Sequence, residues 1–211
     1  AAGTLTAYEA QRVLTREASR PALLGRYRDR FTEGVLRLFG TELLVRGALD
    51  VDGGALVVAN HQSALDIGVM LALSGGVLVS RHDVANWPLL GRMAKHGNTI
   101  FVDREDRRSG VSALREIRRR VKEGRVVVAF PEGGTFPGDS VHEFHPGTFA
   151  AVRSLDIPVI PVGLAYSPAV HYGKESFAEH MSKLAARRKT HVGVNFGAPL
   201  PAAKDAHAMA E

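Results

Sequence analysis

Residues 55–73 read ALVVANHQSALDIGVMLAL. The first five positions are apolar without alternation, the signature of a strand buried on both faces, and the last ten suit a helix packed against it. A strand that passes straight into a helix begins a parallel-sheet unit, and the chain repeats the arrangement. Runs rich in Val, Ile and Leu recur at 43–46, 77–80, 99–102, 126–130, 159–164 and 191–196, with helical patterns at 64–73, 109–123, 148–155 and 175–188. The expected fold is α/β, a single domain with a central mixed, largely parallel sheet covered by helices on both faces. Ligands in such sheets sit beyond the carboxyl ends of the strands, so the residues after each strand carry the functional reading.

Upstream, residues 1–40 read as an N-terminal helical segment. Leu24, Tyr27, Phe31, Val35 and Leu38 form one apolar stripe, with Ser19 as N-cap and Pro21 in the first turn. Arg26, Arg28, Arg30 and Arg37 lie among them, so two readings stay open: a core-facing helix with a solvated face, or a helix resting on anionic lipid.

Composition narrows the chemistry. A chain of 211 residues buries about 70% of its unfolded surface and needs no covalent staple. It has no cysteine, which excludes thiol catalysis, iron-sulfur clusters and thiolate zinc sites. No apolar run approaches the roughly 20 residues of a spanning helix, and residues 1–6 lack the basic and apolar stretches of a secretory signal. The net charge of +5 points to an anionic partner, and between Arg104 and Arg125 nine basic residues face four acidic ones. Aromatic side chains do not interleave with that run, so nucleic acid is not the expected partner.

Three strand ends hold candidate chemistry. After the strand at 55–59 come Asn60, His61 and, five residues beyond His61, Asp66. On a regular helix that spacing leaves the two side chains about 140° apart. They meet only if His61 lies in the turn, Ser63 caps the helix and Asp66 points back from its first turn. The carboxylate then fixes the imidazole tautomer and leaves Nε2 free to deprotonate a hydroxyl. The competing reading is a capping box, Ser63-x-x-Asp66, with His61 incidental. After the strand at 99–102, Asp103 and Arg104 offer a surface ion pair or an anion fork. After the strand at 126–130, Phe130, Pro131, Glu132, Gly133, Gly134 and Thr135 form a turn whose glycines expose bare N–H groups, able to receive an anion or simply to reverse the chain. A later run, Ile157 to Gly163 with prolines at 158 and 161, reads as a buried strand that pairs incompletely. His142 and His145, in a loop without a third ligand, give no metal site.

Taken in order, these segments closely resemble the PlsC-type glycerolipid acyltransferases, the 1-acylglycerol-3-phosphate acyltransferase family. Its four motifs are an Asn-His-x-x-x-x-Asp block, a Gly-x-x-Phe-x-x-Arg block, a Phe-Pro-Glu-Gly block and a late Val-Pro-Val-type strand, and they follow in order here over roughly residues 42–165, the second with one more residue between its glycine and phenylalanine, as Gly97-x-x-x-Phe101-x-x-Arg104. The resemblance implies transfer of a fatty acyl group from acyl-CoA or an acyl carrier protein to the hydroxyl of a lysophospholipid, 1-acyl-glycerol-3-phosphate, in phospholipid biosynthesis. His61 would be the general base oriented by Asp66. Asn60, Gly97, Arg104, Phe130, Glu132, Gly133, Gly134 and Thr135 would hold substrate, and the strand near Val159 would border the acyl chain. A thioester is already activated, so neither metal nor redox cofactor is expected.

Residues 41–211 would be the acyltransferase domain, and 1–40 a docking surface on the inner, cytoplasmic face of an anionic membrane, removable without unfolding the sheet. Two departures concern the acceptor. Where family members continue Thr-Arg, this chain runs Gly134, Thr135, Phe136, Pro137, and where Phe-Lys-x-Gly is common it has Phe144, His145, Pro146, Gly147. Two expected cations are thus absent or replaced by His145, which brings lyso-ornithine lipid forward as an acceptor. A noncatalytic lipid-binding relative is the rival reading. A serine hydrolase is disfavoured by the absence of Gly-x-Ser-x-Gly.

Overall fold

The computed structural model describes residues 2–87, 90–137, 140–167, 170–201, 203 and 205–210. Its strands are β1 (Thr41–Arg46), β2 (Ala55–Ala59), β3 (Val77–Arg81), β4 (Ile100–Val102), β5 (Val126–Ala129), β6 (Pro158–Ser167), β7 (Thr190–Phe196) and β8 (Leu200–Pro201). The helices are α1 (Ala2–Leu14), α2 (Arg20–Leu38), α3 (Leu65–Ser74), α4 (Leu90–His96), α5 (Arg107–Lys122), α6 (Gly147–Ala150) and α7 (Phe177–Ala185). The strands form one sheet in the order β1-β7-β6-β2-β5-β3-β4, with β8 beside β6. Strands β2 to β6 run parallel, β7 and β8 run antiparallel to β6, and β1 is parallel to β7. The expected mixed, largely parallel sheet with helices on both faces is what the chain forms.

Every residue of β2 is buried. Ala55, Val57 and Ala59 join the core under α2, α3 and α7, whereas Leu56 and Val58 join the core under α5 and α6. A strand apolar on both faces does not specify its own register through hydrophobicity, since a one-residue slip exchanges two equivalent sets. Two local features pin it. At the entrance, a side chain on Gly54 would lie 1.8 Å from the Val121 carbonyl oxygen, so only glycine passes beneath the end of α5. At the exit, Asn60 is clamped to β6.

Strands β2 and β5 are neighbours whose connections leave to opposite faces, β2 into α3 and β5 towards α6. Divergent connections open a crevice between the carboxyl ends of two such strands, and the candidate residues lie there. Pro161 fits inside the sheet because β6 changes partner beside it. Strand β8 pairs with residues 158–159 and β7 with 162–167, leaving the Pro161 carbonyl to the Gly197 N–H.

The N-terminal segment differs from its sequence reading. It is two helices, broken where Arg16 takes an extended conformation and Glu17–Ser19 forms a 3-10 turn, because Pro21 has no N–H to continue a single helix. Ser19 precedes α2 but makes no side-chain cap. The buried face is Leu23, Thr32 and the following Phe39, while Leu38 is 72% exposed, so the stripe is rotated from the one read. The cause is packing on α3, where Val35 and Leu36 lie against Gly68 and a side chain there would touch both. Helix α2 also covers the core, so residues 1–40 are not removable without uncovering it. In α5, Arg119 and Arg120 pair with Glu116, Arg119 also with Glu123, and Arg118 donates to the Ala151 and Arg153 carbonyls, so part of the basic run is internally satisfied.

Candidate active site

The turn between β2 and α3 is held residue by residue. The Asn60 amide donates to the Leu164 carbonyl at 2.9 Å and accepts the Leu164 N–H at 2.7 Å, a two-point clamp onto β6. The His61 N–H donates to Glu132 Oε2, and its carbonyl accepts the Phe136 N–H at 2.9 Å. With its backbone fixed from two sides, His61 stays in the turn and Asp66 in the first turn of α3 points back at it. The distance from His61 Nδ1 to Asp66 Oδ2 is 2.8 Å.

The same oxygen accepts the N–H groups of Gln62 at 2.7 Å and Ser63 at 2.9 Å. Asp66 is fully buried, whereas the His61 side chain keeps 18% of its surface exposed and stacks on Phe130 with centroids 4.2 Å apart. A carboxylate acceptor at Nδ1 assigns the proton to that nitrogen and leaves the Nε2 lone pair available. Nε2 has no hydrogen bond among the described residues. Ser63 does not cap α3 as expected; its hydroxyl accepts the Leu65 N–H and pairs with His180 Nε2 at 3.0 Å.

The residues read as substrate-holding fall into two groups. Asn60 and Glu132 are nearly fully buried, and their polar atoms already have partners; Glu132 accepts the His61 and His142 amides, one on each oxygen. In this arrangement both side chains hold the turn and loop around His61, each side-chain polar atom being engaged within the protein. Thr135 donates its hydroxyl to the Tyr172 carbonyl, fixing the loop after β6. Gly97 ends α4, with its N–H on Met93, at the amino end of β4 and so on the far side of that strand from Arg104. The left-handed residue there is Asn98, at φ 57°.

Arg104 makes no ion pair with Asp103 and instead donates to the Gly133 carbonyl. Burial, together with the Arg81 charge, lowers its pKa from the usual value, and it remains a cation. Gly133 is left-handed at φ 81°, and a side chain there would meet Arg104 Nη1 at 2.8 Å and His145 Nε2 at 3.2 Å. Its N–H is not bare, being donated to the Phe130 carbonyl, whereas that of Gly134 has no acceptor among the described residues. Phe130, Gly133, Gly134 and Arg104 thus stay at the crevice with His61.

A family model described as acyltransferase matches residues 38–165, the span that contains His61, Asp66, Arg104 and the Phe130 turn. The chain belongs to the acyltransferase family. This acyltransferase-family chain is 35% identical to a lyso-ornithine lipid O-acyltransferase of Rhizobium meliloti, over 61% of its own length and 44% of that protein. It is 32% identical to a 1-acyl-sn-glycerol-3-phosphate acyltransferase of Neisseria meningitidis, over 63% of its length and 52% of that protein. The chain spans about half the length of these curated relatives. The crystal structure of the 1-acyl-sn-glycerophosphate acyltransferase PlsC from Thermotoga maritima has the same fold, with a TM-score of 0.70 at 22% identity, covering 92% of this chain and 76% of that one.

Several residues around His61 and Asp66 carry no signal in local spacing. Tyr166, on β6, donates its hydroxyl to Asp66 Oδ1. Burial first, and the Asp66 charge second, raise its pKa well above 10, so it is a neutral donor. His180, on α7, lies behind Ser63 with Nδ1 3.5 Å from Glu175 Oε1, and burial pushes its pKa below the usual value. Ser63, His180 and Glu175 follow one another like a nucleophile triad, but Ser63 is completely buried and no substrate reaches it. Their effect is to tie α7 to the turn that carries His61.

Proposed function

We propose that this chain transfers a fatty acyl group from a thioester donor, acyl-CoA or an acyl carrier protein, to the free hydroxyl of a lysolipid, within phospholipid biosynthesis. The observation that carries the reading is the 2.8 Å contact between His61 Nδ1 and a buried Asp66, with the His61 side chain still 18% exposed and its Nε2 without a hydrogen bond among the described residues. Nε2 takes the proton of the acceptor hydroxyl as its oxygen attacks the thioester carbonyl. The tetrahedral intermediate collapses, the C–S bond breaks, and the imidazolium returns the proton to the departing thiolate. Asp66 stabilises the transient imidazolium, and the Gly134 N–H, without an acceptor among the described residues, is a donor available on the turn for the oxyanion. No acyl-enzyme forms, and this chemistry calls for no cofactor.

Arg104 is positioned for the acceptor's head group. For a 1-acyl-glycerol-3-phosphate acceptor it would grip the phosphate. A second reading has its own observation: the neighbour of Arg104 over Gly133 is His145 rather than a permanent cation, which suits a less highly charged head group such as that of lyso-ornithine lipid. The Rhizobium relative bears that name. The test supplies acyl-CoA or acyl carrier protein with a panel of lysolipids and identifies products by mass spectrometry. An acylated lysolipid with equimolar free thiol is expected. Thiol release without an acceptor, or no product from any lysolipid, contradicts the proposal.

Membrane contact is peripheral in this reading, at the inner face. No helix among the described residues is long and apolar enough to cross a membrane. Val13 and Leu14, at the end of α1, are 78% and 88% exposed beside Arg12 and Arg16, a combination that suits an anionic lipid surface.

A further inference from the structure

We infer that Tyr166 is a positioning residue for His61, acting through Asp66; the inference rests on the acyl-transfer reading above. Asp66 receives four hydrogen bonds, divided unequally between its oxygens. Oδ2 takes His61 Nδ1 and the amides of Gln62 and Ser63, all from the turn that the carboxylate is meant to orient. Oδ1 takes the Tyr166 hydroxyl, one hundred residues away on β6. Among the described residues, this is the bond that ties the Asp66 carboxylate itself to a strand of the sheet. The three donors on Oδ2 all belong to the turn, whereas the phenol holds Oδ1 to a strand.

The same strand holds the other end of the turn. Two residues before Tyr166, the backbone of Leu164 clamps Asn60. Residues two apart on a strand lie on one face, so β6 brackets His61, gripping the residue before it by main chain and its partner by side chain. Tyr166 itself is 7% exposed and does not reach the crevice, so its influence passes through Asp66.

Donation from a neutral phenol draws charge from the carboxylate. Without it, Asp66 would hold more charge towards His61 and favour the imidazolium, so the base would stay protonated to higher pH. The other titratable or charged groups around the couple are Glu132 from the loop after β5, Arg104 across Gly133, and His180 of α7 behind Ser63. A change at Tyr166 leaves all three in place.

The test is the pH profile of kcat/KM for lysolipid-dependent thiol release by Tyr166→Phe, with His61→Ala and Phe149→Leu measured alongside. Tyr166→Phe should lower kcat about tenfold with KM nearly unchanged, and move the acidic limb to higher pH. Phe149, in the opposite core, controls for a merely structural effect, which reduces the active fraction and leaves the limb where it was. Should Tyr166→Phe fail to fold, 3-fluorotyrosine at position 166 strengthens the donor and should move the limb downward. An acidic limb coincident with wild type in either protein, while His61→Ala is inactive, overturns the role of Tyr166 alone. Full activity in His61→Ala overturns the acyl-transfer reading on which it rests.

Discussion

Glu132 sits in a Pro-Glu-Gly turn that the sequence offers as a ligand cradle, yet its two oxygens accept the backbone amides of His61 and His142. A buried carboxylate so engaged is a bracket between the turn after β2 and the loop after β5. Glu132→Gln puts an amide NH₂ against one of the two N–H donors. We expect denaturant unfolding to show a loss of about 1.5–3 kcal/mol, with reduced kcat. Unchanged stability with a raised KM would restore the ligand-holding role. The spacing of His61 and Asp66 left a capping box open as the rival reading, and it was the ordered set of motifs that favoured the pair whose contact the structure contains. The role of Asn60 was not legible from its motif, because its partner lies 104 residues away on β6. Tyr166 was missed for the same reason, as no spacing links it to Asp66. Ser63 was misread as the cap because α3 begins one residue later than that role needs, at Leu65 after Ala64.

Strands apolar on both faces were legible as such, since β2 and β5 have no polar side to confuse the pattern. Helix faces were less so. Helix α2 is apolar over a broad arc, and whether Leu38 or Phe39 turns inward depends on where α3 presents Gly68. Helix α4 was not read at all; it is a single short element whose first turn needs Gly91, where a side chain would lie 2.4 Å from the Ala85 carbonyl oxygen. Helix α7 gives a pH prediction. Burial lowers the pKa of His180 below 6.5 in the folded protein, against the opposing effect of Glu175. The unfolded chain therefore takes up a proton that the folded one resists. Stability is full above about pH 6.5 and is lost as pH falls through the depressed folded value. The melting temperature should fall between about pH 7 and pH 5, and His180→Gln should flatten that dependence. Equal slopes in the two proteins would remove His180 from the account.

Across the whole molecule, the sheet order places β2 beside β5 with connections leaving on opposite faces, and that divergence is what gives His61 an opening while Asp66 stays buried. The general architecture followed from the alternation of strand and helix patterns. The long return of β7 between β1 and β6 did not, because strand order depends on contacts no single segment encodes. The N-terminal helices are part of the body through α2, so the proposed membrane contact is tested at the tip of α1. Val13→Ser with Leu14→Ser should reduce flotation with anionic vesicles and leave the melting temperature unchanged; undiminished flotation would place the membrane contact elsewhere. The central claim is that one imidazole, set by one buried acid, removes the acceptor's proton. It is tested most directly by the kcat/KM of His61→Ala for lysolipid-dependent thiol release, with folding confirmed by a cooperative melt. A fall of about 10²–10⁴-fold is predicted. A rate within a few-fold of wild type would contradict the account.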